Sequence, residues 1–236
     1  MQTNSTMTAS TARAEITNAF LRSVYNWMGA GLALTALVSG VMIQSGVAET
    51  LMQSELGFWA FIACFVGQLG LVFYLSSRIN KLSASAASGL FLVYSALTGA
   101  TLSVLLMQYT QSSVFGAFIS AAGMFAAASI YGLVTKRDLA SLGGFMFMGL
   151  IGLIIASVVN MFMNSGPFGM VISLVGVVVF VGLTAYDTQY LKEMGNSVPE
   201  DDATAVRRAT ILGALKLYLD FINLFIMLLR LIGDRR

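Results

Sequence analysis

The sequence predicts an all-α membrane protein of about seven transmembrane helices, on three observations. Only 10 % of its 236 residues are charged, against about 25 % in soluble domains. Hydrophobic residues make up 57 %, and the mean hydropathy is +0.82. These residues gather into runs long enough to cross a hydrocarbon core of about 30 Å, which takes about 20 helical residues.

The runs follow in order. The first is Arg22–Gln44, entered through Tyr25 and Trp27, residue types suited to the membrane interface. A loop with Glu49 and Glu55 leads to the second, Gly57–Ser77, which ends in SSRINK. The third is Ala84–Gln108, and the uncharged link YTQSS leads to the fourth, Val114–Thr135, closed by Lys136, Arg137 and Asp138. The fifth is Leu142–Met163, the turn NSGP follows, and the sixth is Phe168–Met194. The polar stretch GNSVPEDDATAVRR separates it from the seventh, Ile211–Ile232. Residues 1–21, rich in Thr, Ser and Ala and without the apolar core of a signal peptide, read as a polar tail. Residues 22–236 read as a single seven-helix domain.

Positive charge sorts the ends. Arg13, Arg22, Arg78, Lys81, Lys136, Arg137, Lys192, Arg207 and Arg208 fall on one side, which the positive-inside rule makes cytoplasmic together with the N-terminus. Seven crossings then leave Arg235 and Arg236 outside, against the rule; a re-entrant last helix would bring them back. Small residues four apart (Ser85 and Gly89, Gly116 and Ser120, Gly123 and Ala127) suggest close helix contacts.

Composition also excludes. There is no histidine, so the usual zinc sets, Ser-His-Asp and Cys-His catalysis are absent. The single cysteine, Cys64, forms no intrachain disulfide. A net charge of +2 without a basic aromatic patch gives no sign of nucleic-acid binding. No glycine-rich phosphate loop occurs, and no cofactor or stable metal site is expected.

Two acids lie well within the predicted spans: Asp187 in GLTAYDTQYLK and Asp220 in LKLYLDFINLF. An intramembrane carboxylate costs about 2.5–3.5 kcal/mol on insertion scales, so both should face protein or water and mark function. The last helix should therefore be packed all round. By helix rise, Asp187 lies ~10 Å and Asp220 ~15 Å from the cytoplasmic ends of their spans, so the two can meet. Two such carboxylates cannot both ionise cheaply and would share a proton. Its loss would push the helices apart. Lys216, one turn before Asp220, and Asn223, three residues after it, share that side of the helix and stand as supporting groups. The competing reading pairs Asp220 with Lys216 and leaves Asp187 in wet headgroups beside Lys192.

The stretch LKLYLDFINLFIMLLRLIG resembles the C-terminal signature of the Bax inhibitor family, also called the transmembrane Bax inhibitor motif family. GLTAYDTQYL resembles that family's sixth-helix motif. The resemblance covers nearly the whole chain after the tail and fits a bacterial member. It implies two three-helix layers around a central last helix, a pH sensor made of Asp187 and Asp220, and a calcium leak. Family members can carry an arginine late in the second helix that engages the acid pair. Here Ser76 and Ser77 occupy the first positions and Arg78 follows, as a latch or as an arginine snorkelling to the interface.

Three functions are therefore open. The first is a pH-sensitive cation leak channel, with Ca²⁺ held transiently by oxygens of Asp187, Asp220 and Asn223. The second is a non-transporting regulator of a membrane-bound ATP-dependent protease, bound through the tail or the acidic residues 200–202. A remote third is an intramembrane aspartyl protease, which the acid pair resembles in chemistry. Against the third, the second acid lacks the Gly-x-Gly-Asp context of presenilin-type enzymes, and neither Pro167 nor Pro199 begins a Pro-Ala-Leu. The expected setting is a bacterial cytoplasmic membrane.

Overall fold

The computed structural model describes residues 2–198 and 202–235, with side chains from residue 13 onward except Met52. The described chain is helical: α1 (Gln2–Gln44), α2 (Val47–Gln53), α3 (Glu55–Arg78), α4 (Ala84–Leu106), α5 (Gln111–Val134), α6 (Ala140–Met163), α7 (Gly166–Gly195) and α8 (Ala203–Ile232). A 3₁₀ turn, Ile79–Lys81, follows α3. All but α2 are long and apolar enough to cross a membrane, which gives the seven expected spans.

The helix starts carry local causes. Ser54, Ser83 and Thr110 each sit in extended backbone and accept the first free amide from Gly57, Ala86 and Ser113, the ordinary N-cap arrangement. Gly46 takes a left-handed φ of 74° between α1 and α2. The side chain of Asp202 accepts from the amides of Thr204 and Ala205, both at 2.9 Å, and so begins α8 at Ala203. Residues 203–208, read from sequence as part of a loop, are thus helix. Hydropathy finds only the apolar part of a helix, whereas the cap decides where it starts. For the same reason α1 takes in residues 2–21 that read as a tail, and the presumed loop after α1 contains α2.

The chain divides into two compact units. The first is Met1–Gln108 with Lys192–Tyr218, and the second is Tyr109–Leu191 with Leu219–Arg236. Three full spans fall in the first (α1, α3, α4), α5 and α6 with most of α7 fall in the second, and α8 contributes to both. Burial within the most apolar window is 67 % for α8 and 50 % for α7, but 11 % for α3 and for α6. The last helix is thus the most buried of the seven spans.

In the first unit α1 and α4 meet along a seam of small residues. A Cβ on Gly31 would stand 2.6 Å from the ring of Phe91, and one on Gly99 2.6 Å from the carbonyl of Thr35. Backbones this close let hydroxyls cross the seam: Thr35 donates towards the Ser95 carbonyl at 2.8 Å and Ser39 to that of Gly99 at 2.8 Å. Gln68 ties α3 to α4 through the Leu97 carbonyl and the Thr101 hydroxyl. At the polar end Arg208 donates to the Leu82 carbonyl, Arg207 lies 5.3 Å over the Trp27 ring, and Arg13 and Thr17 hold Asn196. Trp27, expected as an interface anchor, thus also carries an arginine on its face.

The second unit uses the same device. Gly132 of α5 faces the Ala185 backbone of α7, Gly143 of α6 lies under the Tyr186 ring, and Gly176 of α7 meets Met227 of α8. The expected small-residue pairs are elsewhere: Gly89, Gly116 and Gly123 have nothing within 4 Å of an added Cβ. Spacing alone does not tell which face of a helix meets a partner.

The C-terminus settles at one end of this unit. The Thr110 amide donates to the Asp234 carbonyl at 3.1 Å, the Asp234 amide to the Ser113 hydroxyl at 2.9 Å, and Arg235 lies over the Tyr109 ring. This is the opposite end of α5 from Lys136 and Arg137, as seven crossings require and as a re-entrant α8 would not give. In a Cys64→Ala background, cysteines at Asp138 and Ser197 should therefore react with an impermeant reagent from one side. Cysteines at Gln108 and Arg235 should react from the other. Ser197 and Arg235 labelled from the same side would refute seven crossings.

Candidate functional site

Both acids lie on α-helices whose neighbours hold them inside. On α7, Ala185 meets Gly132 of α5, Tyr186 covers Gly143 of α6, and Thr188 donates to Ser129 of α5 at 3.3 Å. Asp187, between Tyr186 and Thr188, is 8 % exposed. One turn earlier Thr184 returns its hydroxyl to the Phe180 carbonyl at 2.7 Å, satisfying a buried polar group within its own helix. On α8, Asp220 is 5 % exposed. The next residue, Phe221, stands edge-on to Phe118 and Phe125 of α5, with ring centroids 5.6 Å apart in each case. The expectation that Asp220 is buried among helices rather than facing lipid is met.

Both acids belong to the second unit. Asp187 precedes by four residues Leu191, where α7 leaves that unit, and Asp220 directly follows Leu219, where α8 enters it. The end-of-helix count used on the sequence fails for α8: Asp220 lies seventeen residues after Ala203, not ten. Within the helices of this unit the charged residues are Asp187, Asp220 and Arg230. Arg230 is exposed and ten residues further along α8, ~15 Å by helix rise.

The other expected participants are placed as follows. Lys216 is half-buried one turn before Asp220. Asn223 donates its side-chain amide to the Leu219 carbonyl at 2.8 Å, so that donor is spent on its own helix. Arg78 is the last residue of α3 and is exposed. Of the acidic stretch 200–202, residues 200 and 201 lie outside the described residues, as do the side chains of residues 1–12. Among the described residues no cluster of three or more Cys, Asp or Glu occurs.

One group escaped the sequence. Tyr218, two residues before Asp220, is fully buried, its hydroxyl 2.6 Å from that of Thr35 and its ring edge-on to Phe91 and Tyr94. A tyrosine in an apolar run reads as core; the signal was the polar spacing opposite it, Thr35 and Ser39 on α1 with Ser95 and Gly99 on α4.

A multi-pass helical membrane protein with a buried aspartate in each of its last two spans is the class these features define. The chain belongs to the Bax inhibitor family: the family model described as "Inhibitor of apoptosis-promoting Bax1" matches residues 17–236. It is 48 % identical over 217 residues to the inner membrane protein YbhL of Escherichia coli K12, covering 92 % of each chain. A Borreliella burgdorferi protein is 43 % identical over 221 residues, 94 % of each chain. A Deinococcus radiodurans protein is 43 % identical over 218 residues, 92 % of this chain and 90 % of its own.

Proposed function

We propose that the protein is a pH-sensitive cation leak channel, with Ca²⁺ as the permeant ion, gated by a proton shared between Asp187 and Asp220. The observation that carries this is the burial of two carboxylates, Asp187 and Asp220, on two helices of one compact unit. Desolvation and mutual repulsion both disfavour the doubly ionised pair, so one proton stays between them at lower pH. Sign follows directly: the latch is present at lower pH and is lost as pH rises through release of that proton, and α7 and α8 then separate. Carboxylate and carbonyl oxygens suit a hard divalent ion in transit. Lys216 is the competing counter-ion for Asp220. The exposed position of Arg78 supports interface snorkelling rather than a latch. The setting is an inner membrane, as the E. coli relative is an inner membrane protein, with the N-terminus and the loop 195–208 cytoplasmic by the positive-inside rule.

The deciding experiment is ion flux from liposomes holding the purified protein, loaded with a Ca²⁺ indicator and stepped across about pH 5–8, the range to which buried carboxylates are moved. Flux that changes with pH is expected. No flux at any pH would end the channel reading and leave the regulator of a membrane-bound protease.

A further inference from the structure

The turn between α3 and α4 gathers positive charge that nothing nearby in sequence balances. Ile79, 6 % exposed, seats the 3₁₀ turn in the first unit. Beside it Arg78 and Lys81 are turned outward and exposed. Arg208 of α8 joins them: its Nε donates to the Leu82 carbonyl at 2.6 Å, directly after Lys81. That N–H is one of five donors on a guanidinium, so four more remain on the Nη atoms. Three cations thus converge on one turn. Residues 56–137 hold no acid. Glu55 begins α3 at its other end, ~35 Å from Arg78 by helix rise. Asp202, six residues before Arg208, already serves as a cap, accepting from the amides of Thr204 and Ala205.

Next to this charge lies an apolar wall. The last turns of α3 present Leu69, Phe73 and Tyr74, which are 49, 74 and 50 % exposed. Residues four apart share a helix face, so Leu69 leads to Phe73 and Tyr74 leads to Arg78. A tyrosine suits the headgroup level of a bilayer, with its ring in the apolar layer and its hydroxyl in the polar one. Along this surface the order is aliphatic, aromatic, cation, the order in which a phospholipid runs from chain to phosphate. We propose that the α3–α4 corner binds an anionic phospholipid, its phosphate held by Arg78, Lys81 and Arg208 and an acyl chain lying along Leu69 and Phe73. The planar fork of an arginine matches phosphate oxygens. Free phosphate would use the cations and leave the apolar wall empty. A zwitterionic lipid would bring its own ammonium among three cations, whereas an anionic one brings negative charge that they neutralise. The site lies wholly within the first unit, and its lipid preference is independent of ion conduction.

Tryptophan quenching by brominated lipids reads which lipid stands beside a chosen position. The full-length protein with Trp27→Phe, Trp59→Phe and Tyr74→Trp carries a single indole, one turn from Arg78; Trp27→Phe keeps a ring under Arg207. The protein with Trp27→Phe alone carries Trp59, 61 % exposed near the start of α3, as the control. Each is reconstituted in phosphatidylcholine vesicles holding a minority of brominated phosphatidylglycerol or, in parallel, of brominated phosphatidylcholine. The indole at position 74 should favour phosphatidylglycerol by about fivefold or more, the effect of one basic residue at an anionic surface. Trp59 should show no such preference. Arg78→Gln and Lys81→Gln, both at exposed positions, should each lower the preference several-fold and together abolish it. Arg22→Gln removes an exposed cation of α1 in the same unit and should leave it unchanged. Excess inorganic phosphate at constant ionic strength should not displace the lipid. The site is overturned by equal quenching from both lipids at position 74, by a preference of the same size at Trp59, or by one that survives the double R78Q/K81Q change. A loss in R22Q matching that in R78Q would show a diffuse surface potential instead, and displacement by phosphate a site for the free anion; either also overturns it.

Discussion

Asparagine at either Asp187 or Asp220 is expected to abolish the pH dependence of cation flux through the reconstituted protein. The substitution keeps the shape of the side chain and a hydrogen-bonding group but removes one of two charges that repel. With a single ionisable carboxylate left, no proton has to be shared, and its loss no longer drives α7 from α8. The flux-versus-pH curve should therefore be flat between about pH 5 and 8, the window to which buried carboxylates are shifted. Alanine at either site would remove the proposed hydrogen bond as well, so it should raise flux at the lower end of the range, where the proposed latch is closed. Wild-type curves from both asparagine variants would show that the acids are structural.

Gly132→Ala is expected to be among the most damaging single-methyl changes in the chain. An added Cβ would stand 2.3 Å from the carbonyl oxygen of Ala185 and 3.1 Å from Thr188 Cβ, and neither α5 nor α7 can yield without moving backbone. Overpacking of this kind costs about 1–3 kcal/mol and at times more. Gly123, nine residues earlier on the same helix, has nothing within 4 Å. There the same change should be neutral or slightly stabilising, because alanine is favoured over glycine in a helix by about 1 kcal/mol. Thermal unfolding of the two variants in one detergent checks the contrast directly. Equal midpoints would mean that α5 and α7 do not touch at Gly132. Since Ala185 is two residues from Asp187, a partly folded Gly132→Ala protein should also show an altered pH response.

The spans were legible because a bilayer imposes one rule on every crossing segment, a run of apolar residues of fixed length. The burial of Asp187 and Asp220 was legible for the converse reason, since a charge among lipid tails is too costly to leave exposed. What hydropathy does not carry was missed. The first turns of α8 are polar, and only the cap at Asp202 marks their start. Gly116 and Gly123 each have a small residue four positions on, yet neither has anything within 4 Å of an added Cβ among the described residues, while Gly31, Gly99 and Gly132 sit in real contacts. Whether a glycine is against backbone depends on the partner helix, which local sequence does not name. Tyr218 was invisible for a similar reason: its hydrogen-bond partner lies 183 residues earlier.

That separation bears on how the protein is made. Chains emerge at about 5–20 residues per second, so Thr35 waits roughly 10–40 s for Tyr218 to be synthesised. During that time Thr35 is not stranded, because the Gly31 carbonyl is on its own helix and the Ser95 carbonyl follows only 60 residues later. The first helices can thus dock and remain in the bilayer with the Thr35 hydroxyl satisfied before the last helix arrives. Assembly in this order exposes no unsatisfied hydroxyl at Thr35 to lipid, and the final insertion of α8 supplies the contact that completes the seam.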